Sequence, residues 1–314
     1  GDVYKRQVVM RAMMEDYGNP SSKHMKGVEA ERYLREARET IAKTLKVNEK
    51  EIYFTSGATE SDNWAIIGAA MANRRAGTHL ITTAIEHPAV LAPMQYLEEQ
   101  GFRVTYLPVD AKGHISLCDL ENALCSDTIL VSMMYVNNEI GAVEPIAEAA
   151  RLVKKYNPRI LFHVDAVQAY GKLPVYPKKL GVDMVAVSAH KIHGPKGIGF
   201  LYIRKGVDLL PYADGGAQEN AHRAGTENVA EIVGMAAALK ANCDLLVKNQ
   251  QHILNLERQL ISTLDEAGVV YKCNGGDSKL PGLLSLSFPG KDGESILHRM
   301  DLMGISISTG SACN

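Results

Sequence analysis

Five short segments combine reactive residue types with glycine-rich or strand-end surroundings. In Thr55-Ser56-Gly57-Ala58-Thr59-Glu60-Ser61, an apolar stretch gives way to a helical pattern. Free N–H groups at a helix start, aided by the helix dipole, hold anions. Gly57 permits close approach and the Thr59 hydroxyl adds a donor; a plain helix cap would use the same residues. The G-K-[ST] ending of a P-loop is absent. His163-Val164-Asp165-Ala166-Val167-Gln168 puts Asp165 at the end of an apolar strand, where a carboxylate needs a cation. A protonated pyridine ring and a structural arginine both qualify. Ser188-Ala189-His190-Lys191-Ile192-His193-Gly194-Pro195-Lys196-Gly197 delivers Lys191 into a glycine-rich turn. A partly desolvated lysine is neutral more often and suits Schiff-base chemistry; a solvated loop lysine is the plainer reading. His190 and His193 have metal-pair spacing, but with no third ligand in view no metal is expected. In Glu86-His87-Pro88, His87 can stack on a ring or move protons, or simply precede a proline at the first helical position. Ser308-Thr309-Gly310-Ser311-Ala312-Cys313 sets a thiol among small residues, either a nucleophile or an inert surface group.

The cysteines are Cys118, Cys125, Cys243, Cys273 and Cys313. An odd number without C-x-x-C spacing argues against a disulfide scaffold or zinc ribbon and for a reducing, cytoplasmic setting. The first four read as small buried hydrophobes.

Positioning these segments requires a scaffold of alternating strands and helices. Apolar runs at 52–55, 79–83, 103–107, 128–134, 160–164, 183–188 and 199–203 read as strands, with helical periodicity at 27–47, 58–75, 88–100, 117–125 and 145–155. That rhythm predicts an α/β fold with a mainly parallel sheet covered by helices on both faces and a ligand site beyond the strands' carboxyl ends. After Gly225 the pattern becomes a long helix at 227–267, strands at 269–273, 283–288 and 305–308 and a helix at 294–302. The expected division is an N-terminal segment 1–17, a large domain 18–240 and a smaller α+β domain 241–314. Residues 1–7 fit no pattern that follows and are expected to be non-native.

The chain has 314 residues, enough for about two domains. It is 46% hydrophobic and 22% charged, and Lys+Arg 34 against Asp+Glu 36 leaves a net charge of −2. This balance excludes an electrostatic nucleic-acid footprint, and no apolar run has the roughly 18 residues of a membrane span.

Taken in order, TSGATESDN, EHPAV, VNNEIG, HVDAVQ, SAHKIHGPKG, RAGTEN and STGSAC resemble the cysteine desulfurases of the NifS/IscS type, in the class-V aminotransferase family. The resemblance runs from Tyr17-Gly18-Asn19-Pro20-Ser21-Ser22 to Cys313. It implies the fold-type-I architecture of pyridoxal-5'-phosphate enzymes, with Lys191 binding the cofactor and shuttling a proton. Asp165 would face the pyridine nitrogen and His87 would stack on the ring. Gln168 and Asn138 would bond the ring oxygen and its surroundings. Ala58, Thr59, Ser188 and His190 would cradle the phosphate. Thr226 would reach the phosphate of a neighbouring subunit in a homodimer. Cys313 would take sulfur from L-cysteine as a persulfide and pass it to an acceptor such as an iron–sulfur scaffold. A class-V aminotransferase or related lyase shares every element except the need for Cys313; a non-catalytic assembly partner would not need Lys191 either. The family's N-terminal Ala-Thr-Thr strand and the C-terminal segment with a substrate-binding Arg are not in this sequence. Ala217 and Asn220 stand where relatives carry Gly and Arg. The chain therefore reads as a piece of a longer enzyme, expected to bind cysteine poorly by itself.

Overall fold

The computed structural model describes residues 3–310. Its elements are α1 (Val3–Met14), α2 (Met25–Leu45), β1 (Ile52–Thr55), α3 (Ala58–Ala72), β2 (His79–Thr83), α4 (Pro88–Glu99), β3 (Arg103–Leu107), α5 (Leu117–Ala123), β4 (Thr128–Met134), α6 (Ile146–Tyr156), β5 (Leu161–Asp165), α7 (Pro177–Leu180), β6 (Met184–Ser188), β7 (Gly199–Ile203), α8 (Val229–Glu266), β8 (Lys272–Cys273), β9 (Leu286–Ser287) and α9 (Gly293–Leu302). Among the described residues, β1 to β7 form one seven-stranded sheet in the order β1-β7-β6-β5-β4-β2-β3. Only β7 runs against its neighbours. The ten residues between β6 and β7 are fewer than a parallel crossover needs, so the chain turns straight back.

Strand alternation divides the core between the two faces. On β6, Val185 and Val187 pack with α2, α6 and the start of α8, while Met184 and Ala186 pack with α3 and α4. On β5, Phe162 and Val164 join the first cluster. His163 and Asp165 therefore face the α3 side. Fully buried apolar strands are what a sheet covered on both faces requires. Burial of the order seen here, with Trp64, Phe162, Phe200 and Tyr202 wholly enclosed, contributes about 2 kcal/mol per large side chain.

Four expectations are corrected. Residues 3–14 form a helix that packs on α8. Gly234 makes that approach possible, since a Cβ there would lie 2.6 Å from Val9 and 2.7 Å from Pro195. The stretch 305–308 is not a strand: among the described residues no neighbour offers it a ladder, and Ile305 and Ile307 are exposed. The other two late strands shrink to a two-residue pairing, Lys272 with Ser287 and Cys273 with Leu286. Cys118, Cys243 and Cys273 are exposed and Cys125 half-buried, so none of these is a core thiol. In α8 the buried residues lie between Ile232 and Leu239; the remainder of this helix is amphipathic and solvated.

Candidate active site

The carboxyl ends of β1, β4, β5 and β6 open onto one cavity of about 300 Å³. The loop after each strand supplies part of its lining. Ser56, Gly57, Ala58 and Thr59 follow β1, and Asn138 follows β4. Asp165 ends β5 and Gln168 follows it; Ser188 ends β6, with His190 and Lys191 next. His87 enters from the start of α4. Nine of the residues assigned roles from the sequence thus converge.

The β1–α3 junction is shaped for an anion. Gly57 is the N-cap of α3, with φ 154°, and no side chain caps the helix. The first backbone N–H groups of α3 are therefore left for a ligand. Gly199 lets the loop lie against β7: a Cβ there would sit 2.4 Å from the Val187 carbonyl oxygen and 2.8 Å from Gly57 Cα. Ser188 Oγ and His190 Nδ1 share a hydrogen bond of 2.7 Å beside this turn. Glu60 would repel an anion, but Arg223 Nε donates to its Oε1 at 2.8 Å and Ser56 Oγ to its Oε2 at 2.6 Å. Burial pushes the Glu60 carboxyl up, yet these bonds outweigh it and hold the group below its ordinary range.

Asp165 is 6% exposed. Val167 N donates to its Oδ1 at 2.9 Å. Burial, then the nearby Asp62 carboxyl, raises Asp165 to about 7. Such a carboxylate lacks its counter-cation. His87 accepts from Ala89 N at 3.1 Å through Nδ1, so its ring hydrogen sits on Nε2. Burial and then the Lys191 charge lower its pKa and keep the ring neutral. Asn138 is held by its neighbour: Asn137 Oδ1 accepts from Glu139 N and Ile140 N, and its Nδ2 donates to the Ile85 carbonyl. Lys191 lies in the 3-10 turn after β6, half-buried, where it also lines two further cavities. One is an open cleft of about 870 Å³ bounded by Ile307, Ser308, Thr309 and Gly310. Cys313 lies outside the described residues.

Thr226 does not line this cavity. It is exposed in the adjoining cleft with Ser56, Arg223 and Glu227. Asp62, by contrast, belongs to the site without having been assigned a role. It is fully buried on α3, lines the cavity and has no hydrogen-bond partner for either oxygen among the described residues. His163 Nε2 lies 3.4 Å from it, and Ser132 Oγ bonds His163 Nδ1 at 2.9 Å. Burial raises the Asp62 carboxyl well above its ordinary range and lowers His163 to about 4, so the ring is neutral. A carboxylate at the i+4 position from Ala58, ahead of buried Ala65 and Ile66, was the sequence signal for it.

The sequence pattern of the family described as Aminotransferase class-V matches residues 4–314. A cysteine desulfurase IscS of Dictyoglomus turgidum is 47% identical over 303 residues, covering 96% of this chain and 76% of the relative. A solved NifS-like protein superposes with a TM-score of 0.95 at 43% identity, over 98% of this chain and 84% of that one. The chain belongs to the cysteine desulfurases of the class-V aminotransferase family. A third relative, solved as SspA in complex with cysteine, is 33% identical with a TM-score of 0.86, covering 100% of this chain and 87% of that one. The expected fold-type-I architecture is thereby established, with pyridoxal phosphate as the family's cofactor. The residues present fit that group. The uncapped start of α3 suits a phosphate, and Asp165 offers an uncompensated carboxyl to a protonated ring nitrogen. His87 offers a neutral ring face and Lys191 an amine.

Proposed function

We propose that the chain removes sulfur from L-cysteine, with Lys191 holding pyridoxal phosphate and Cys313 receiving the sulfur. The observation that carries this reading is the convergence of Asp165, Lys191, His87 and the free α3 terminus in one cavity. The open cleft that adjoins it at Lys191 is bounded by Ser308, Thr309 and Gly310, the residues leading to Cys313. Bound there, pyridoxal phosphate supplies an electron sink for the bond broken at the substrate Cα. The N–H groups of Ala58 and Thr59, with Ser188 and His190, would hold its phosphate. Asp165 would keep its ring nitrogen protonated, His87 would stack on the ring, and Gln168 and Asn138 would bond its ring oxygen and surroundings. Lys191 Nζ removes the Cα proton and returns it. The Cys313 thiolate attacks the substrate sulfur, forming an S–S bond as the Cβ–S bond breaks. The electron pair passes to carbon, which takes a proton to yield alanine. A thiolate is needed for this attack. An accessible segment of small residues suits the transfer of the persulfide to an acceptor such as an iron–sulfur scaffold protein.

Thr226, exposed beside the phosphate cradle, is assigned to the partner copy's phosphate in a homodimer. The odd cysteine count without C-x-x-C spacing supports a reducing, cytoplasmic setting. The test is alanine and sulfide formation from L-cysteine with a thiol reductant. Cys313→Ser is expected to abolish sulfide while leaving cofactor binding unchanged. Sulfide release at the wild-type rate by that variant would overturn the role of Cys313.

A further inference from the structure

Gln168 lines the cofactor cavity, and its amide has two ends of opposite character. Which end faces the cavity is decided by what holds the other. Lys172, four residues further along the same turn-rich loop after β5, donates from Nζ to Gln168 Oε1 at 3.1 Å. An ammonium only donates, so it selects the amide oxygen and turns the NH₂ end away. We propose that Lys172 is a positioning residue for the cofactor: it fixes the Gln168 amide so that the NH₂ group faces the cavity as a donor to the ring oxygen. This rests on the functional reading above.

The surroundings of Lys172 give that bond its leverage. Its side chain is half-buried against a second cavity of about 350 Å³ that Lys191 also lines. Among the described residues, the only other ionisable groups on that wall are Lys191 and His193. No carboxylate there competes for the ammonium, and Gln168 is its one hydrogen-bond partner among the described residues. Burial, then the charge of Lys191, lowers Lys172 to about 8, so it remains a cation at neutral pH. The segment is held from elsewhere: Gln250 Nε2 donates to the Lys172 carbonyl, a backbone contact that a side-chain change leaves in place. Without Lys172 the amide is free to turn its oxygen toward the ring oxygen, replacing a donor by a repulsive acceptor.

The test is a double-mutant cycle on the cofactor-loaded protein, read from the pH titration of its visible absorbance band. The basic form of the chromophore carries uncompensated negative charge on the ring oxygen, and a lost donor disfavours it. Lys172→Met is expected to raise the midpoint by about one pH unit, a tenfold change. Gln168→Ala is expected to raise it similarly. Lys172→Met added to Gln168→Ala should then move it by under roughly 0.3 unit, as positions acting through one contact do not add. Lys172→Arg, which keeps the donor, should restore the wild-type midpoint. An equal Lys172→Met shift with and without Gln168, or none in either background, would overturn the proposal. If Lys172→Met unfolds, Lys172→Gln completes the same cycle. A wild-type protein without any bound cofactor band would overturn the functional reading itself.

Discussion

Replacing Asp165 by Asn separates the stability of the empty protein from its affinity for the cofactor, with opposite signs. Asn keeps an oxygen for the Val167 N–H that donates to Oδ1 at 2.9 Å, and removes only the ionisable proton. Burial raises Asp165 from 3.8 to about 7 in the folded chain. The folded state then binds this proton more tightly than the unfolded state, so stability falls as pH rises between those values. At about 1.4 kcal/mol per unit, the wild-type penalty is about 2 kcal/mol at pH 5 and reaches about 4 kcal/mol above pH 7. Asp165→Asn lacks it. The apoprotein variant should therefore resist denaturant better than wild type, by a margin that grows from pH 4 to pH 7 and then levels. Cofactor affinity should move the other way. A charge-assisted bond to a protonated ring nitrogen is worth about 3 kcal/mol when buried, or roughly a hundredfold in Kd. Denaturant unfolding of the apoprotein at pH 5 and pH 8, with pyridoxal phosphate titration of both proteins, gives the two numbers. A variant less stable than wild type at pH 8, or one binding the cofactor within threefold of wild type, would refute this electrostatic account.

The other predictions concern the frame around the site. Asp183 is 1% exposed and accepts from Lys154 Nζ at 2.5 Å, Arg204 Nε at 2.7 Å and Phe162 N at 2.7 Å, joining α6, β5 and the end of β7. Asp183→Ala should cost about 3 kcal/mol in denaturant unfolding, with unchanged cofactor Kd. Gly199→Ala forces a Cβ against two backbone groups; calorimetry should show a loss of about 1–3 kcal/mol, accompanied by weaker cofactor binding as the Gly57 turn is displaced. Glu144, 1% exposed, accepts from Ile115 N at 3.1 Å and is raised to about 7 by burial. Its folded pKa also lies above the unfolded one, so Glu144→Gln should gain stability as pH rises from 4.5 to 7, by at most about 3 kcal/mol in unfolding at pH 8.

The sheet was legible because short apolar runs such as Thr128–Met134 and Gly199–Ile203 stand between turn residues, and the strands were placed to within a residue. The direction of β7 was not: an apolar strand buried on both faces has no sequence mark of orientation, although the brief connection before it limits the choice. The helix at the N-terminus escaped because its exposed Met10, Met13 and Met14 obscure the narrow stripe that meets α8. The stretch 305–308 has a strand's composition, but a strand exists only with a neighbour. At the site, loops after strands announced Lys191, Asp165, His87 and the Gly57 turn, because polar residues interrupt apolar runs there. Asp62 and Lys172 escaped for a different reason. Spacing puts Asp62 on the inner side of α3 and Lys172 four residues beyond Gln168, but the approach of Asp62 to His163 and the direction of the Lys172–Gln168 hydrogen bond are set by the folded structure, which spacing does not give.

The central claim places the cofactor on Lys191 and the transferred sulfur on Cys313. Incubation with pyridoxal phosphate and L-cysteine, borohydride reduction of half the sample and peptide mass spectrometry test both residues together. The account predicts a reduced cofactor adduct on the Lys191 peptide and one extra sulfur on the Cys313 peptide of the unreduced half. A cofactor adduct on a different lysine, or extra sulfur on Cys118, Cys125, Cys243 or Cys273 in place of Cys313, would contradict it.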